Sequence, residues 1–374
     1  MAEKKSRRTR RRTKAKRRST LIKRITIALV IMLALLLISA CALFIAVPRE
    51  NLKSAVRDML GEHLGAIRML GAWNTNAEKA FDLMDEKRRE LGENAIAWFI
   101  ESDQHGRLVP TVKWVEKKDK DIKSILLGDV VTDYYNEKEL SAFHKMMSSV
   151  DNKICVFGNH DIFTKSAENA NYEKLTAWFE ADGKIADTAH GYFSVIDEEK
   201  RVKYLVISPY MINLETGNNG IDVAVGTQQM TWLLSEMNAE DGCDIVVLMH
   251  QLFTDAHEDR NGKGQGYADA PPILENLWNV MKDRRNKRSG SITDSEGVNH
   301  TYDFSAVQTE LLCSLHGHAH NELMMTEEGM TAYVADWLGN DYNCAFGLVN
   351  RDDNEMYIWR FDKANVYDML TLPI

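Results

Sequence analysis

The chain has 374 residues, 44% of them hydrophobic, and a formal net charge of −9. That is room for one large globular domain with accessories, and it excludes an intrinsically disordered protein. The charge is uneven: residues 1–24 carry 13 Lys/Arg and one Glu, so the other 350 carry −21, which excludes a globally basic nucleic-acid binder.

Residues 1–24, with the run Arg7-Arg8-Thr9-Arg10-Arg11-Arg12, are too charged to pack and read as a basic arm. From Ile25 to Val47 there follow 23 residues without a charge. At ~1.5 Å per residue that stretch spans a hydrocarbon core of ~30 Å. With the positive charges before it, the positive-inside rule predicts a single-pass signal anchor at the cell membrane, with a cytosolic N-terminus and everything after Pro48 extracytoplasmic. The run exceeds an ordinary signal-peptide core. Ile38-Ser39-Ala40-Cys41 resembles a bacterial lipoprotein cleavage box, but Ala42 to Val47 stays apolar where such a protein turns polar.

Residues 48–93 read as a helical stalk or linker: Leu52, Val56, Met59, Leu60, Leu64, Ile67 and Leu70 recur at spacings of three and four. A break is expected at Trp73-Asn74-Thr75-Asn76, then a second helix from Ala77 to Leu91. Such a helix serves self-association or packs on the following domain. From residue 94 to 374 short apolar strands alternate with amphipathic helices such as Glu137 to Val150 and Glu173 to Ala181, the pattern of α/β architecture. Tyr192 to Ile196 and Lys203 to Ser208 read as a hairpin; Met330 to Ala335, Ala345 to Val349 and Met356 to Phe361 read as late strands. Asn261-Gly262-Lys263-Gly264-Gln265-Gly266 lacks the Lys-Ser/Thr of a phosphate loop and reads as a mobile substrate-side lid. Five scattered cysteines form no disulfide framework and no Cys-x-x-Cys, and Cys155 and Cys313 read as small core residues.

Five apolar runs end in metal-ligand types. Ala95 to Ser102 runs into Asp103-Gln104-His105-Gly106, Ile125 to Leu127 into Gly128-Asp129, and Lys153 to Phe157 into Gly158-Asn159-His160-Asp161. Ile245 to Met249 runs into His250, and Leu311 to Leu315 into His316-Gly317-His318-Ala319-His320. Carboxyl ends of neighbouring strands in an α/β fold converge on one sheet edge, where ligands bind. Asp, Asn and His delivered there by five strands suit a first-row metal site.

The order Asp-x-His, Gly-Asp, Gly-Asn-His-Asp, His, Gly-His-x-His resembles the calcineurin-like metallophosphoesterases, and Gln228-Gln229-Met230-Thr231-Trp232-Leu233-Leu234 resembles that family's usual Gln-x-x-Trp-Leu helix. The resemblance implies an α/β sandwich of two mixed β-sheets flanked by helices, and two divalent metal ions, Mn, Fe or Zn. By resemblance Asp103, His105 and His320 hold the first ion, Asp129 bridges, and Asn159, His250 and His318 hold the second. It implies hydrolysis of a phosphomonoester or phosphodiester by a metal-bridging hydroxide, with His160 as proton donor or charge stabiliser. The family often has an Asp three residues after the bridging Asp to orient that histidine. Here the position is Thr132, leaving Asp133 or Asp161 to substitute. The rival expectation is a catalytically silent envelope protein that keeps the fold for partner binding. The natural substrate lies in loops whose shape one sequence does not fix.

Overall fold

The computed structural model describes residues 71–107, 111–132, 137–147, 150–162, 184–187, 191–213, 215, 221–254, 257–265, 271–339 and 341–374. The basic arm, the apolar segment 25–47, the first stalk helix and the helix expected at 173–181 lie outside them. Among the described residues no helix is long and apolar enough to cross a membrane.

Strand β1 (Ile96–Glu101) is fully buried and sends alternate side chains to opposite faces of its sheet. Ile96, Trp98 and Ile100 enter one apolar cluster, whereas Ala97 and Phe99 enter another. Burial on both faces is why this run reads as continuously apolar. β1 lies parallel to β2 (Lys123–Leu126), which lies parallel to β3 (Lys153–Cys155). On its other side β1 pairs antiparallel with β17 (Cys344–Asn350), and β18 (Glu355–Phe361) and β19 (Leu370–Pro373) complete six strands.

A second, nine-stranded sheet is centred on the parallel strands β6 (Val202–Ile207), β9 (Asp244–Met249), β14 (Leu311–His316) and β16 (Met330–Val334). The expected hairpin is present as β5 (Tyr192–Asp197) against β6. The sheets pack face to face: Trp98 on β1 meets Tyr204 on β6 edge to face, with the indole N–H donating to the phenol oxygen over 2.8 Å. Helices 111–118 and 137–147 cover the outer face of the first sheet, and helices 227–237 and 272–285 that of the second. The result is a mixed α/β fold of two sheets flanked by helices, with the core clusters between layers. The four described cysteines, Cys155, Cys243, Cys313 and Cys344, are free and buried.

Two expectations need correction. Residues 71–91 are helical without a break, and Trp73, Ala77, Ala80, Phe81 and Met84 are buried in the core over the first sheet. The Trp-Asn-Thr-Asn stretch docks the helix instead of ending it: the Trp73 indole donates to the Tyr342 carbonyl, and the Asn76 amide to that of Asp362. This second part of the 48–93 stretch therefore belongs to the compact unit 71–374. The Gly-rich stretch, expected to be a free lid, is for its described part a small hairpin, β10 (His257–Glu258) with β11 (Gly264–Gln265), added to the edge of the nine-stranded sheet through β15 (Leu323–Glu327). The Arg260 guanidinium, paired with Glu322, fastens it there.

Candidate metal centre

The five motif-bearing strands, β1, β2, β3, β9 and β14, all leave their sheets at carboxyl ends on one edge, and the structure brings the predicted ligands together there. Asp103, His105 and His320 form one group, Asp129, His250 and His318 a second, and His105, Asp129 and His160 a third, each with its donor atoms within 4.8 Å of one another. Asp129 belongs to the second and third groups and His105 to the first and third, so these two residues join the three groups.

The turns that present these side chains are strained. Asp103 (φ 52°), His105 (45°), Asp129 (54°), His318 (70°) and His320 (55°) all lie in the left-handed region. Each such non-glycine residue costs about 1–3 kcal/mol unless its surroundings impose it. Two glycines make the approach of the loops possible. A Cβ on Gly158 would stand 2.1 Å from Asp129 Oδ1; one on Gly128 (φ 93°) would stand 2.7 Å from His250 Nδ1.

Several buried atoms lack the partners that burial demands. Among the described residues Asp103 Oδ1 and His250 Nε2, and Asn159 Oδ1 on the residue before His160, are buried and make no hydrogen bond. His105 Nε2 and His320 Nε2 approach to 3.0 Å, His320 Nε2 lies 3.2 Å from Asp103 Oδ1, and His250 Nε2 lies 3.2 Å from Asp129 Oδ2. Leaving buried polar groups unsatisfied is costly, and a cation among them would satisfy every one. The remaining valences are already used, which fixes the orientation of the ligands. Asp103 Oδ2 accepts from the Ser102 hydroxyl and the His318 N–H, Asp129 Oδ1 accepts from the His160 N–H, and His250 Nδ1 meets the Leu127 carbonyl. The donor set therefore fits divalent-metal binding in both atom type and unmet valence.

Electrostatics agree. Burial opposes the charge on Asp103 and Asp129, yet the His250 imidazole beside both holds each carboxyl below the usual range. Burial likewise opposes protonation of His250, but Asp129 and then Asp103 push it up to about 9. Burial lowers His105, and burial with the His250 charge lowers His318 to about 4, leaving both imidazoles neutral and able to ligate. His316 is buried beside them and is held by the Gln251 carbonyl and the Ser314 hydroxyl. It supports the turn and joins none of the three groups.

The orienting group for His160 was not foreseen from side chains. Its Nδ1 sits 2.6 Å from the main-chain carbonyl of Thr132. A carbonyl only accepts, so Nδ1 carries a hydrogen and Nε2 is the nitrogen left for chemistry. Asp161, expected to share the catalytic work, instead gathers backbone: its carboxylate accepts from the N–H groups of Asp129, Val130, Val131 and Gly158. Burial and the Asp129 charge push it up to about 7 against these donors. It holds the loop that carries Asp129.

Trp337 was missed. Its indole stacks on His320 at 4.9 Å and 10°, and a parallel bridge to Ser102 fixes it next to Asp103. No periodic signal announces it, because the contact joins segments that meet only when β16 and β1 are both in place.

No family model matches the chain, and no curated protein matches it. It is similar to solved structures that include phosphoesterases. YfcE, a phosphoesterase from E. coli, shares 10% identity over 74% of this chain and 98% of its own, with a TM-score of 0.29. A phosphoesterase-like protein from Streptococcus pneumoniae shares 10% over 76% of this chain and 100% of its own, TM-score 0.33. GAP50, the anchor in the inner membrane complex of Plasmodium, shares 11% over 75% and 89%, TM-score 0.44. Likenesses this remote assign no activity, and the functional reading rests on the geometry of the site.

Proposed function

We propose that the chain is a metal-dependent phosphoesterase of the calcineurin-like kind, hydrolysing phosphomonoester or phosphodiester bonds with two divalent ions, Mn, Fe or Zn, held by Asp103, His105, Asp129, Asn159, His250, His318 and His320. One observation carries the reading: donor atoms from five strand ends meet at a point where, among the described residues, Asp103 Oδ1 and His250 Nε2 are buried without a hydrogen bond. Divalent ions there would polarise a phosphoryl oxygen and lower the pKa of water. The chain's own residues do the rest. Asp129 is fixed by the His160 N–H and by the backbone loop that Asp161 gathers. His160, anchored through Nδ1, offers Nε2 to the leaving alkoxide as a donor when it is imidazolium. The Thr132 carbonyl does what an orienting carboxylate does elsewhere, so the departure at this position does not favour a silent protein.

We further propose that the protein is held at the cell membrane through residues 25–47, with the catalytic domain extracytoplasmic. The support is compositional: 23 uncharged residues follow an arm carrying 13 Lys/Arg. The test of the enzymatic reading is metal analysis of the full-length protein with turnover of p-nitrophenyl and bis-p-nitrophenyl phosphate in added Mn²⁺. Bound metal and turnover of at least one ester are expected; no metal and no turnover would overturn the reading.

A further inference from the structure

Arg107 follows directly on the His105-Gly106 turn and is half-buried. Its guanidinium carbon lies 5.4 Å from the centre of the Trp337 ring, and its Nη1 is buried with no hydrogen-bond partner among the described residues. Two other arginines, Arg260 and Arg360, are ion-paired, although Arg360 Nε too makes no hydrogen bond among the described residues. Arg260 is paired with Glu322 and the Asp368 carbonyl, and Arg360 with Asp336 and Glu322. No ion pair involves Arg107 among the described residues.

The plate beneath Arg107 is rigid. Trp337 is bridged to Ser102, the next N–H, of Leu338, donates to the Ser102 carbonyl over 2.8 Å, and Gly339 passes so close that a Cβ there would stand 2.7 Å from the indole. The other neighbour of that indole is the imidazole of His320, a proposed ligand. The guanidinium is thus tied through one aromatic ring to the first metal group, and through two residues of chain to His105. Cation–π contact holds the position of the group but satisfies none of its N–H donors. An acceptor of matching shape is what it lacks, and a phosphate oxygen pair matches the guanidinium fork.

We infer that Arg107, steadied by Trp337, is a phosphate-binding residue of this centre and biases it toward phosphate groups that carry a second negative charge, hence toward monoesters over diesters. The inference rests on the phosphoesterase reading and deepens it. A monoester at neutral pH carries about −1.5 to −2, while a diester has one charge and one fewer free oxygen for a cation to meet.

The test uses full-length Mn²⁺-loaded protein as wild type, Arg107→Met and Arg107→Lys, with metal content checked in each. Inorganic phosphate and dimethyl phosphate are titrated calorimetrically. Arg107→Met should weaken phosphate about 10- to 100-fold and dimethyl phosphate less than about threefold, with Arg107→Lys between. The kcat/KM ratio of p-nitrophenyl over bis-p-nitrophenyl phosphate should fall about tenfold or more in Arg107→Met. Unchanged phosphate affinity, equal weakening of both ligands, or wild type that binds no phosphate would each overturn the inference. A wild type that binds phosphate through Arg107 yet cleaves neither ester would sink the phosphoesterase reading and leave the Arg107 assignment standing.

Discussion

The two halves of the centre are built differently. His250 is fully buried, its Nδ1 tied to the Leu127 carbonyl and its Nε2 3.2 Å from Asp129, so that half is continuous with the core between the sheets. In the other half the His320 side chain is 43% exposed and is steadied by the plane of Trp337. The closed half packs its imidazole against two buried carboxylates, those of Asp103 and Asp129. The open half faces solvent.

With Asp129 as the proposed shared carboxylate, Asn at that position should erase the distinction between the halves. Asp129→Asn should lower kcat/KM on p-nitrophenyl phosphate about 10³-fold or more. Activity within tenfold of wild type would remove Asp129 from its shared role.

The halves should separate in stability once metal is stripped. His250→Ala leaves Asp103 and Asp129 buried without the opposing charge and opens a cavity, so urea unfolding of chelator-treated protein should show a loss of about 2–4 kcal/mol. His320→Ala, at a half-open position, should change that stability by less than about 0.5 kcal/mol. Equal losses would mean that the contrast in burial has no energetic content.

A site remote from the metals calibrates the comparison. Asp294 accepts from Thr227, His300 and the N–H groups of Val298 and Glu296. Burial opposes its charge, yet these donors hold the carboxyl down to about 2. A depressed carboxyl contributes stability that is complete above its unfolded value near 3.8 and is lost as pH falls toward 2. That contribution is about 1–2 kcal/mol, and Asp294→Asn should flatten the acid limb of the stability profile by that amount. The smallest effect is expected at Thr132. Its carbonyl, not its side chain, orients His160, so Thr132→Ala should slow turnover less than about tenfold, leaving the pH profile of kcat/KM in place. A shifted profile would return the orienting role to a side chain.

Much of the centre was legible before any coordinates. Residue types at the ends of apolar runs carry a chemical signal, and strands buried on both faces announce themselves as unbroken apolar stretches. Asp103, His105, Asp129, Asn159, His250, His318 and His320 stand at or just after the ends of those runs, and their division between two ions is what the family resemblance implies. What stayed hidden depends on backbone atoms or on contacts made only after folding. The Thr132 carbonyl has no side-chain signature, and Asp161 looked catalytic because its neighbours are. Trp337 and Arg107 are ordinary letters until β1 and β16 bring them to the same metal group. The helix over 71–91 was cut short because Asn and Thr usually end helices, whereas here Trp73 and Asn76 dock one.

The measurement that bears most directly on the account is electron paramagnetic resonance of the full-length protein loaded with Mn²⁺, read together with its metal content. Two ions bridged by Asp129 predict about two Mn²⁺ per chain and an exchange-coupled spectrum, collapsing to an isolated-ion signal in Asp129→Asn. A wild-type protein that binds no Mn²⁺, or shows only magnetically isolated ions, would contradict the account.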